Sequence, residues 1–144
     1  MTTIMPANAK LLGYLGLIPF ITIPVAVILN VLSFPQAFAF FSQYSAIILS
    51  FLGGIHWFAA INDNRYNHQI YVAMLPSIVG WLALIGFADV RTLGVLALAH
   101  VAVVFYDKFT LQLSPALIIE YTRLRIQLTS VAVACHAAMV WLQP

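Results

Sequence analysis

Apolar residues fall in five long blocks along the chain, separated by short polar interruptions. The blocks run from Leu11 to Leu32, Ala37 to Ile61, Ile70 to Ala88, Thr92 to Tyr106 and Ile126 to Leu142. A helix needs about 20 apolar residues to cross the hydrocarbon core of a bilayer, with a range of about 17 to 25. The pattern predicts an all-α polytopic membrane protein, a five-helix transmembrane bundle that forms one integral domain over residues 1–144. The fourth block is short. It is expected to cross by thinning the bilayer, or by borrowing Asp89 to Arg91 as an interfacial turn. In the stretch before the last block, Leu111 to Arg125 reads as a short interfacial helix with Pro115 in its first turn. Pro19 and Pro24 are expected to kink the first span. That span is longer than the roughly 7 to 15 residues of a signal-peptide core, so it is expected to be retained.

Composition strengthens this reading. Of the 144 residues 63% are hydrophobic and 7% charged, where a soluble domain carries about a quarter charged residues. The natural solvent for such a chain is the lipid bilayer. The net charge of +2 is spread over loops and leaves no footprint for nucleic acid. A single cysteine, Cys135, cannot form an internal disulfide. With five crossings, Lys10, Arg65, Lys108, Arg123 and Arg125 share the N-terminal side, and Arg91 lies opposite. Basic residues resist translocation. The N terminus is therefore expected in the cytoplasm and the C terminus on the opposite side of the membrane. Tyr14, Tyr66, Tyr71, Tyr106, Tyr121 and Trp57 fall near the N-terminal-side boundary and Trp141 near the other, as amphipathic rings prefer. Trp81 is deeper and reads as packing.

Within lipid, small residues let helices approach. Ala46, Ser50 and Gly54 recur every four residues in the second span, and Ser130, Ala134 and Ala138 in the fifth. Both rows read as packing seams, and Gly53 with Gly54 as room for a neighbouring helix.

Ionisable residues inside a membrane are expensive, which makes each a candidate for function. His56 sits about 8 Å from the end of its span at helical rise, shallow enough for its ring to reach headgroups or a loop. His100 and His136 are deeper. Asp107 follows His100 by seven residues, and Thr129 and Arg125 precede His136 by seven and eleven, along one face in each case. If the last two helices are neighbours, His100, His136 and Thr129 form a polar seam below an Asp107–Arg125 ion pair. Two neutral imidazoles can satisfy one another. The same residues could instead ligate haem iron or a metal ion, or bind a quinone carbonyl. Gly53 and Gly54 would admit a haem between His56 and His100. No CxxCH, nucleophile elbow, phosphate loop or metalloprotease motif is present. An enzyme is not expected, and no cofactor or metal is assigned.

Four stretches carry a resemblance: ILSFLGGIHWFAA (Ile48 to Ala60), YDK (Tyr106 to Lys108), YTRLRIQLT (Tyr121 to Thr129) and LLGYLGLIPF (Leu11 to Phe20). Through these blocks, taken in their order along the chain with LLGYLGLIPF first, the chain resembles the transmembrane protein 69-like family. It departs from the expected pattern at Phe58, where a glycine is expected, and at Glu120, where a tryptophan is. The resemblance implies a small bacterial or mitochondrial inner-membrane protein of uncharacterised role; taken with the charge bias, the expected placement is a bacterial inner (plasma) membrane with the C terminus periplasmic. The leading expectation is an accessory or assembly subunit of a larger membrane complex, with other integral subunits as partners. The alternative is a binder or conductor of haem, a metal, a quinone or protons through His56, His100 and His136.

Overall fold

The computed structural model describes residues 4–64 and 68–144. Arg65 and Tyr66 of the sequence reading lie outside them. The described residues form α1 (Ala7–Leu15), α2 (Ile18–Ile28), α3 (Phe34–Asn62), α4 (His68–Val72), α5 (Leu75–Gly86), α6 (Val90–Thr110) and α7 (Pro115–Trp141). They make up five units long and apolar enough to cross a membrane: Ala7–Ile28, Phe34–Asn62, His68–Gly86, Val90–Thr110 and Pro115–Trp141. The protein is an all-helical membrane protein, and large apolar side chains such as Leu98 and Phe109 face outward, where lipid would meet them.

Two spans are interrupted, and proline chemistry explains where. Pro19 has no N–H to offer the Leu15 carbonyl, and the first span breaks between Leu15 and Ile18. The neighbouring Gly16 carbonyl, at the break, accepts from the Tyr44 hydroxyl of α3 at 2.8 Å. Pro24 stays inside α2 without breaking it. Pro76 stands just after the second interruption, between α4 and α5.

The fourth span needs no thinned bilayer. At 21 residues it is about 31 Å long at helical rise. It runs on through Asp107 and Lys108, because the Asp107 charge is met inside the protein. Nor is there a separate interfacial helix before the last span. α7 is continuous from Pro115, since no glycine or proline follows within it to stop propagation.

Helix ends follow local chemistry. Asn30, at φ 56°, takes the left-handed position after α2, and the Val31 N–H reaches back to the Ala26 carbonyl at 2.8 Å. Gln36 Oε1 accepts from the Ser33 hydroxyl at 2.9 Å ahead of α3. Asp89 caps α6 by accepting the Arg91 backbone N–H at 2.9 Å. The Arg91 side chain and that N–H together hold the Asp89 carboxyl below its ordinary range.

α3 is the central helix, packed on α2, α4, α5 and α6, while α7 closes the bundle against α6, α2 and α1. Phe20, Phe41, Leu93 and Met139 form one apolar cluster. Leu49, Leu52, Ala83 and Leu96 belong to a second. The small residues divide by face. Ala46 meets Gly80, where an added Cβ would lie 3.3 Å from the Ala46 Cβ. A Cβ on Gly53 would fall 2.5 Å from the Ala73 carbonyl, inside the α4–α5 interruption, whereas Gly54 looks onto open space. Ser50 is half-buried and returns its hydroxyl to the Ala46 carbonyl at 3.1 Å.

On α7 the expected seam is not the inner face. Ser130 and Ala134 are exposed and Ala138 half-buried, while Leu124, Arg125, Thr129, Ala132, His136 and Met139 are buried. Withdrawing Arg125 and His136 from lipid fixes the rotation of this helix more strongly than small-residue spacing does. Trp81 is likewise exposed rather than packed.

Gly53→Ala should lower stability by about 1–3 kcal/mol through overpacking against backbone. Gly54→Ala should be neutral or stabilising by up to about 1 kcal/mol. Thermal unfolding in mild detergent compares them, and equal midpoints would contradict the close approach of α3 to Ala73.

Candidate functional site

Three of the five units contribute the core of a buried polar column. α6 supplies Asp107 and α7 supplies Arg125, whose Nε donates to Asp107 Oδ2 at 2.8 Å. α3 supplies His56, whose Nε2 lies 2.6 Å from the other carboxylate oxygen. A carboxylate only accepts, so this nitrogen carries hydrogen and donates. Gln69 of α4 presents its amide Nε2 to His56 Nδ1 at 3.3 Å. The imidazole is thereby held between the Asp107 carboxylate on one side and the Gln69 amide on the other. The Tyr106 ring lies against it at 4.8 Å between centroids.

Deeper in the bundle stands a second group. Ser45 Oγ lies 2.8 Å from His136 Nε2 and 3.1 Å from His100 Nε2. His136 Nδ1 sits 2.7 Å from the Ala132 carbonyl. A carbonyl cannot donate, so Nδ1 holds the hydrogen. In the neutral ring Nε2 then accepts from the Ser45 hydroxyl, and Ser45 accepts from His100. Phe20 and Phe41 wall this group in, with the Phe41 ring 4.8 Å from that of His136.

Several sequence expectations change on contact with this geometry. The Asp107–Arg125 pair forms, but it is buried, with Asp107 at 2% exposure. His100 and His136 share a serine instead of bonding each other. Thr129 is buried on the same face of α7 and bonds neither histidine. His56 does not reach toward headgroups; it is buried at 2% exposure because Asp107 draws it inward. His56 and His100 are held by different partners, the Asp107 carboxylate and the Ser45 hydroxyl. Among the described residues no group of three or more His, Cys, Asp or Glu is arranged to hold a metal ion.

Ser45 and Gln69 escaped the sequence reading. Ser45 lies three helical turns before His56, on the buried α3 face that also carries Leu49 and Leu52. That shared face was the available signal. Gln69 falls in a polar connection by hydropathy, and no periodicity marks it.

Beside the ion pair is a cavity of about 330 Å³, open on one side. Its wall is mostly apolar, including Gly13, Leu17, Leu52 and Leu128, and His100, Tyr121, Arg125 and Thr129 add polar groups. Arg125 Nη2, Thr129 Oγ1 and Tyr121 OH are buried and have no hydrogen-bond partner among the described residues. Buried polar groups normally find partners, and these three belong to residues that share one cavity wall.

Removing one member of the ion pair, as in Asp107→Leu, should destabilise the protein by about 3–5 kcal/mol, because the other charge is left buried and unpaired. Asp107→Leu combined with Arg125→Met should be milder than either single change. Unfolding of all three variants in detergent tests this; a double change as damaging as the sum of the singles would refute a mutually compensating pair.

Comparison with known proteins agrees with this architecture. A family described as a protein of unknown function, DUF3429, matches residues 5–141. The chain is 31% identical over 132 residues to Transmembrane protein 69 of Xenopus tropicalis, across 89% of this chain and 51% of that protein. It thus spans about half the length of the curated relative it matches. No solved structure matches.

Proposed function

The chain belongs to the DUF3429 family, and on that premise we propose that it is a non-enzymatic membrane protein that binds a small, mostly apolar molecule inside its helix bundle. One observation carries this reading: the cavity of about 330 Å³ whose wall includes Arg125, Thr129 and Tyr121, each with a buried polar atom lacking a partner. Its volume and lining match those of small-molecule sites, which are mostly apolar with a few polar groups. The non-enzymatic reading rests on Ser45. Its pairing with His136 has the look of a nucleophile and base, but the serine is fully buried. Its hydroxyl is engaged on both sides, which suits a structural bridge better than an attacking group.

A second reading, an accessory or assembly subunit, is favoured by the outer face of α7. Ser130 and Ala134 are exposed there, beside a groove between α6 and α7 lined by Val101, Phe105, Ile126 and Val133. Small residues on a lipid-facing groove suit close approach of a helix from another chain.

Native mass measurement after mild solubilisation addresses both readings. A ligand site predicts one discrete small-molecule adduct on the wild type. Ala9→Phe, which adds bulk to the cavity wall from an exposed position of α1, should reduce it at least tenfold. A subunit predicts a co-purifying chain lost on Ala134→Phe. A bare, monomeric particle would overturn both.

The proposed placement is a bacterial inner membrane, with the N terminus cytoplasmic. It is supported by Lys10, Lys108 and Arg123 at one end of the bundle and Arg91 at the other. Reporters fused at the two termini should fall in opposite compartments, the N-terminal one in the cytoplasm; a shared compartment would refute this threading.

A further inference from the structure

We propose that the head group recognised at this cavity is an uncharged carbonyl, as in a quinone, a ketone or a lipid ester, borne on an apolar chain. The proposal rests on the reading of the cavity as a ligand site and adds the chemistry of its occupant.

The polar atoms without partners are a guanidinium nitrogen and two hydroxyls. Arg125 Nη2 can only donate, and the Thr129 and Tyr121 hydroxyls each have a hydrogen to give. The matching head is therefore an acceptor. An ammonium or guanidinium head would bring a cation to Arg125 and offer it no acceptor.

Charge decides between acceptors. Asp107 answers Arg125 through one carboxylate oxygen and takes the His56 N–H on the other. The Asp107–Arg125 pair is neutral as a unit. A carboxylate or phosphate head would leave one uncompensated negative charge among apolar side chains, away from water. A carbonyl oxygen adds no charge and takes up the donors that burial leaves unsatisfied.

Access is also defined. Arg125 and Thr129 are each 7% exposed, and the three donor atoms are closed off. The head must be admitted by side-chain rotation at the wall. Toward the outside the cavity is bordered by Leu12 and Phe51, both exposed. A chain longer than the cavity would therefore continue into lipid. Specificity resides in the head and tolerance in the tail.

The test uses the full chain in lipid nanodiscs, titrated with decyl-benzoquinone, a diacylglycerol, laurate, dodecylamine and dodecane, with binding read by native mass spectrometry. Decyl-benzoquinone or the diacylglycerol should bind at least tenfold more tightly than the other three; whichever binds better identifies the source of the carbonyl. Thr129→Val and Tyr121→Phe, which keep shape, should each weaken that probe about three- to tenfold and leave dodecane unchanged. Laurate equal to or tighter than both carbonyl probes overturns the assignment of an uncharged head. Dodecane equal to them shows occupancy by the tail alone and overturns it too. Failure of every probe to bind overturns the ligand site itself.

Discussion

An Arg–Asp pair enclosed by apolar helices constrains the rest of this molecule. A medium that cannot solvate ions forces Asp107 and Arg125 to find each other. Their meeting sets the rotation of α7, lets α6 continue as helix past an acidic residue, and gives His56 and, through it, Gln69 a fixed place. Ion pairs of this kind contribute little net stability when compared with well-packed apolar replacements. What this one supplies is geometry: it ties the C-terminal end of α6 to α7 and draws α3 onto both.

The cavity descends from a different cause, the proline at position 19. Loss of one N–H interrupts the first span, and the Tyr44 hydroxyl satisfies the Gly16 carbonyl at the break. Gly13, Gly16 and Leu17, around that break, line the cavity. A single missing donor in the first crossing thus shapes a void beside a cation on the last one. The same device recurs at Pro76, where Gly53 removes the side chain that would strike the Ala73 carbonyl.

Much of the fold was legible because hydrophobic runs of membrane length are an unambiguous signal. The five spans and the Asp107–Arg125 pair followed from run length and from helical spacing around two charges. The ends of the spans were less legible. Hydropathy counts Asp107 as a terminator, although Arg125 compensates it, and so shortens α6. The small-residue row on α7 was misleading, because spacing reveals a face but not which way it turns. Ionisable residues turn it, and they take Arg125 and His136 inside at the expense of Ser130 and Ala134. Ser45 was hidden for the opposite reason. A serine in a membrane helix ordinarily returns its hydroxyl to its own backbone, as Ser42 does to Phe38 at 2.6 Å. Only the tertiary arrangement shows that Ser45 does not.

The serine between the two imidazoles has one further consequence. It owns a single hydrogen, so its two contacts cannot be equivalent: one is given and the other received. The Ala132 carbonyl, by claiming the far nitrogen of His136, decides which is which, and the sequence from His100 through Ser45 to His136 acquires a polarity. To reverse it, His136 would have to surrender its hold on the backbone and both rings would have to exchange tautomers together. The trio behaves as a latch with one preferred sense, held by a main-chain oxygen that no side-chain substitution can remove.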